Sequence, residues 1–81
     1  MLNWIPNYIS SLSLELQLTR LIVDKVNKSQ LHGGDHLPSP KDFSRQTMVS
    51  QEIIAMAYER LEKMGIVNYS SAHVVKIAHA T

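Results

Sequence analysis

A mostly α-helical domain with a small β-hairpin is the fold class this sequence predicts, and three observations predict it. Apolar residues recur at helical spacing in two stretches, Leu14 to Val26 and Ile54 to Met64. Between them, Ser39-Pro40 and Ser50 have the chemistry of two helix starts only a short turn apart. After Gly65, two runs rich in β-branched residues flank Ser70-Ser71-Ala72, the pattern of a hairpin.

The chain has 81 residues, the size of one small domain. Folding at this length hides only about 60% of the unfolded surface, so a net stability of a few kcal/mol is expected. There is no cysteine to add a disulfide, which is compatible with a reducing cytoplasm, the expected location. The 44% hydrophobic content is that of a globular chain. No apolar stretch approaches the roughly 20 residues of a membrane span. The start of the chain lacks the basic n-region of a secretory signal, and Asn3, Pro6 and Asn7 interrupt its apolar residues.

Residues 1–12 read as an N-terminal arm, with Trp4, Ile5, Tyr8 and Ile9 around Pro6, extended or briefly helical, packing its aromatics on the domain or on a partner. Residues 13–78 form the domain and 79–81 a tail. The first helix is expected from Leu14 to Lys28, capped by Ser13, with Glu15 at the positive end of the helix dipole. Its buried stripe is Leu14, Leu18, Leu21, Ile22 and Val26, widened by Leu16 and Val23. Gly33-Gly34 then opens a turn. In the second helix, Pro40 to Gln46, Ser39 caps, Pro40 fills the first position without losing a needed N–H, and Phe43 faces the core. Thr47-Met48-Val49 is the turn, with Val49 plugging the angle between helices. Ser50 caps the third helix, residues 51–64, whose buried stripe is Ile54, Ala57, Tyr58, Leu61 and Met64. Gly65 terminates it in the left-handed conformation. The runs Ile66 to Tyr69 and His73 to Ile77 make the wing, residues 66–77. Two helices joined by a three-residue turn and followed by a hairpin constitute a winged helix-turn-helix.

From Leu14 to Ile77 the chain resembles the DNA-binding domain of the GntR superfamily. The residues that carry the resemblance are Leu14-Glu15-Leu16-Gln17-Leu18, the stretch Leu31 to Ser39 with its Gly34-Asp35-His36-Leu37-Pro38-Ser39, Val49-Ser50 at the turn, and Ala57 to Val67 with Leu61-Glu62-Lys63-Met64-Gly65. The Ala57-Tyr58 pair is most similar to the YtrA and MocR branches. The resemblance implies a DNA-binding transcriptional regulator of bacterial type, with no cofactor and no catalytic or metal site. The third helix would lie in the major groove while the second crosses the backbone. Lys41, two residues after the Ser39 cap, stands where the family places a cation on the backbone.

The sequence departs from that family at the expected DNA face. An Arg directly after the third helix's cap is common there; this chain reads Gln51-Glu52-Ile53-Ile54-Ala55-Met56. Gln51 has the donor–acceptor pair for adenine, Glu52 an acceptor for cytosine N4, and Ala55 or Met56 a contact for a thymine methyl. The wing has Ala72 for the usual glycine, with His73 and Lys76 as its cations. Net charge is only +1, from eight Lys/Arg and seven Asp/Glu, a weak footprint for a nucleic-acid binder. Counting Lys41, Arg45, Lys76 and protonated His73 gives a salt slope of about −3. Weak binding by a monomer is therefore expected, with useful affinity from a homodimer on two half-sites. No effector or oligomerisation segment is recognisable, so the reading expects either a piece of a longer regulator or a domain that works with a partner.

Other chemistries are weaker readings. His32, His36, His73 and His79 show no metal-ligand spacing, and Gly33-Gly34 is not followed by the Gly-Lys-Ser/Thr of a phosphate loop. Glu59 and Lys63 are expected to pair on an exposed face. Met48 and Met64 are expected as core filler, and Met56 as an exposed residue. Two functional readings follow. In the first, double-stranded DNA is bound through Ser39, Lys41, Arg45, Ser50, Gln51, Glu52, Ala55, His73 and Lys76. In the second, a winged helix that has lost most DNA-contacting cations binds a protein through Ile53, Ala55, Met56 and the Trp4/Tyr8 arm.

Overall fold

The computed structural model describes residues 3–71 and 74–78. The elements run α1 (Leu14–Asn27), β1 (His36–Leu37), α2 (Pro40–Thr47), α3 (Gln51–Lys63), β2 (Val67–Ser71) and β3 (Val74–Ile77). This is the winged helix-turn-helix order, and the helix bounds fall within a residue of those read from the sequence.

Each helix starts where a serine can accept a backbone N–H. Ser13 takes the N–H of Leu16, Ser39 that of Asp42 and Ser50 that of Ile53, each serine itself being extended. Such caps are each worth about 1 kcal/mol. Gly65 ends α3 at φ +77°, a backbone region that a side chain would strain.

The core forms where α3 packs against α1, α2 and the sheet. Leu18 and Ile22 of α1, Phe43 of α2, and Ile54, Ala57, Tyr58 and Leu61 of α3 are buried, as is Val49 in the turn. Thr19 is buried too, its hydroxyl donating to the carbonyl of Glu15. Val67, Val75 and Ile77 close the sheet side of this core.

Three features differ from the sequence reading. The sheet has three strands, ordered β1-β3-β2, because the His36–Leu37 segment pairs antiparallel with β3. Gly34, at φ +91°, lets the chain approach β3 closely: its N–H donates to Ile77 O at 2.8 Å, and Ile77 N–H to Asp35 O at 2.8 Å. Met48 and Met64 are not core residues. Met48 is 85% exposed because it takes the left-handed conformation that turns the chain and sends Val49 inward. Met64 is the C-cap of α3, past its last helical turn, and is 52% exposed. Glu59 and Lys63 are not among the ion pairs of the described residues, both being solvated chains with little to gain from pairing. Instead Arg60 joins Glu15 at 2.6 Å, tying α3 to α1.

The arm is neither free nor wholly packed. Trp4 stacks on Phe43 with ring centroids 5.8 Å apart, whereas Tyr8 stays exposed. The hairpin's expected turn shifts as well: β2 continues through Ser71, with a register irregularity between Tyr69 and Ser71. Ala72 and His73, on which the sequence reading of the wing tip rests, lie outside the described residues.

Candidate nucleic-acid interface

The N-terminal turns of α2 and α3 face a common open cleft of about 550 Å³. From α2 it is lined by Lys41 and Asp42 after the Ser39 cap, and from α3 by Gln51, Glu52 and Ala55. The helix-turn-helix explains this convergence. Thr47 accepts the N–H of Val49 while its hydroxyl donates to Phe43 O, which tightens the turn. The buried Phe43 and Val49 then fix how α3 leaves it. Gln51 and Glu52 are exposed, so their polar ends are free to meet a ligand. Arg45 lies one turn beyond Lys41 on the same exposed stripe of α2.

The electrostatics are mixed. Unpaired N–H groups at the two helix starts favour an anion such as a phosphate. Each first turn also carries an acid, Asp42 on α2 and Glu52 on α3, which complements the helix dipole and opposes that anion. Of the charged side chains lining the cleft, one is cationic and two are acidic.

Tyr69 of β2 completes the cleft and was missed by the sequence reading. It pairs with the buried Val75 and so turns to the helix side of the sheet. Its ring meets Tyr58 edge-on, with centroids 5.8 Å apart. Tyr58 in turn donates its hydroxyl to Pro38 O at 2.7 Å, directly before the α2 cap. The two tyrosines thus brace the wing and the start of α2 against α3. Burial, then the neighbouring Tyr69, raises the Tyr58 hydroxyl pKa above its ordinary value. Partial burial, then the charges of Glu59 and Glu62, raises that of Tyr69. Both remain neutral hydroxyls in the physiological range. The sequence signal for Tyr69 was its place in the β alternation, two residues from the core residue Val67.

The remaining candidate residues are dispersed. Lys76 is exposed between the buried Val75 and Ile77, in register with the exposed His36 and Asn68. It therefore stands on the exposed face of the sheet, opposite Val75 and Ile77, and is not among the residues lining the cleft. Ile53 is only partly exposed and packs against the core. Met56 is exposed, but it lines a different groove with Glu15, Glu59, Arg60 and Lys63. Ala55 and Met56 thus line different grooves on two sides of α3. Trp4 is committed to Phe43. Among the described residues no group of three His, Asp or Glu side chains is arranged to hold a metal. No helix there is long and apolar enough to cross a membrane.

No family model matches the chain, and no curated protein matches it. Solved structures do. A transcriptional antiterminator from Listeria monocytogenes EGD-e superposes with a TM-score of 0.90 at 24% identity, over 99% of this chain and 60% of that one. YtrA from Sulfolobus acidocaldarius, a GntR-family transcription factor, superposes with a TM-score of 0.82 at 20% identity, over 94% of this chain and 64% of that one. What is shared at such identities is the winged helix fold. The chain spans less than two thirds of either neighbour's length.

Proposed function

We propose that this domain binds double-stranded DNA as the DNA-reading part of a transcription regulator, with the start of α3 in the major groove. The observation that carries the reading is the shared cleft, where two serine-capped helix starts present Lys41, Gln51 and Glu52 to one ligand. That is the arrangement by which one helix grips the phosphate backbone while the next reaches base edges. Lys41 and Arg45 hold phosphates. Gln51 reads adenine through its amide, Glu52 accepts from cytosine, and Ala55 lets the groove floor approach. The Tyr69 hydroxyl adds an uncharged donor at the edge of the contact. The role is non-enzymatic and places the protein with the DNA, in the cytoplasm of a bacterial cell.

The structural neighbours, a transcriptional antiterminator and a GntR-family transcription factor, favour this reading. Titrations against a set of duplex sequences test it. Lys41→Ala is expected to weaken every duplex alike, and Gln51→Ala to flatten the preference among sequences, each by about 1–3 kcal/mol at most. Wild-type and Lys41→Ala curves that coincide would reject the proposed contact.

A further inference from the structure

The helix that carries Lys41 and Arg45 is short and packs on one helical neighbour. α2 has 8 residues and rests on α3, but its Cα atoms come no nearer than 8 Å to those of α1. The arm spans that gap. At one end Trp4 stacks on Phe43, the buried residue midway between Lys41 and Arg45, with ring planes 26° apart. At the other end the Gln17 side chain of α1 holds the arm by three hydrogen bonds. Its Oε1 accepts the Asn7 N–H at 2.9 Å, and its Nε2 donates to Asn7 O at 2.9 Å and to Leu12 O at 2.8 Å. Asn7 Oδ1 accepts the N–H groups of Ile9 and Ser10, and Ser10 Oγ that of Leu12, which stiffens the approach to α1. Only Ile5 and Pro6 separate Trp4 from Asn7, and the proline ring locks its own φ. Such a link reaches at most about 10 Å and has little slack.

We infer that residues 4–12 form a strap from α1 to α2, and that Trp4 and Gln17 are positioning residues for the Lys41–Arg45 face of α2. A two-turn helix anchored on α3 alone is free to rock about that contact. The stack on Phe43 gives it a second anchor, and the Gln17 bonds make that anchor fast to α1. Gln17 bonds to the arm from a helix that does not approach α2, so its influence on α2 runs through the strap. The strap itself is independent of what the cleft binds. Its effect on DNA affinity rests on the function proposed above, because Lys41 and Arg45 must reach phosphates together.

Amide hydrogen exchange of the free chain, with no DNA present, tests the strap. The Phe43 N–H, bonded to Ser39 O, and the Met48 N–H, bonded to Ser44 O, report on the two ends of α2. Gln17→Ala is expected to speed their exchange about fivefold or more, with the Tyr58 and Leu61 amides of α3 at wild-type rates. Alanine is the better helix former, so α1 is not weakened by the change. Trp4→Ala cuts the other anchor and should do the same, and the double variant no more than either alone, because one link is cut twice. Should Trp4→Ala fail to fold, Gln17→Ala decides. Unchanged α2 amides in Gln17→Ala overturn the inference. So does a speeding shared equally by α3, which marks a general loss of stability. In duplex titrations both variants should bind every sequence more weakly alike, by about threefold or more. Unchanged affinity, with the wild type binding, overturns the positioning role. A wild type that binds no duplex overturns the DNA reading alone, since the strap is read from exchange.

Discussion

Removing the hydroxyl of Tyr58 tests how the wing and the helix-turn-helix are held together. In Tyr58→Phe the fully buried ring remains and one hydrogen bond, 2.7 Å long to Pro38 O, is deleted. A hydrogen bond of this kind contributes about 0.5–1.5 kcal/mol net, and an acceptor left bare adds to the loss. Pro38 is only partly buried, so water can reach its carbonyl and limit that penalty. The expected cost is therefore about 1 kcal/mol, or a fall of roughly 4–8 °C in Tm for a domain of this size. Urea unfolding at neutral pH, followed by circular dichroism and Trp4 fluorescence, measures it. The denaturant slope should not change, because the same surface is buried. A loss below about 0.3 kcal/mol would refute the bracing role, being no larger than ordinary unfolded-state effects. The same variant carries a pH signature. The Tyr58 pKa is raised above 10.0 in the fold, chiefly by burial, so the neutral hydroxyl is the form the fold favours. Its contribution is complete below the unfolded value and is lost as pH rises from about 10 through the folded value. Wild-type stability should thus fall more steeply above pH ~10 than that of Tyr58→Phe.

Two further predictions concern named contacts. Tyr69→Phe keeps the edge contact on Tyr58 and removes only a neutral donor from the cleft, so DNA affinity should fall about two- to tenfold with an unchanged salt slope; a changed slope in fluorescence anisotropy would mean that the site as a whole had moved. Glu15→Gln breaks the 2.6 Å pair with Arg60, and because Arg60 is half exposed the loss should be about 0.5–1 kcal/mol in low salt, shrinking toward zero in 1 M salt in parallel denaturation curves.

The elements that local chemistry specifies were legible in the sequence. Ser13, Ser39 and Ser50 announce helices because a capping hydroxyl, a first-turn acid or a proline act within four residues. Gly65 announces an end for the same reason. Features made by distant residues were not legible. A strand as short as His36–Leu37 exists only because β3 lies beside it. The Glu15–Arg60 pair joins residues 45 positions apart. Tyr69 reaches the cleft because the β2–β3 register turns it toward α3. Lys76, expected as a cation of the wing, lies on the exposed face of the sheet, opposite the buried Val75 and Ile77. Met64 satisfied the helical period and is still exposed, because the helix has ended there and the chain turns at Gly65.

The cations that line or flank the cleft set its expected electrostatics. Among the described residues Lys41 lines the cleft, and Arg45 is exposed one turn further along α2. The most direct measurement is the affinity for duplex DNA as monovalent salt rises from about 50 to 200 mM. Two phosphate contacts per domain predict a logarithmic slope of about −2, reduced by about one in Lys41→Ala. Affinity indifferent to salt, or no binding at millimolar duplex, would contradict the assignment of the α2–α3 cleft to DNA.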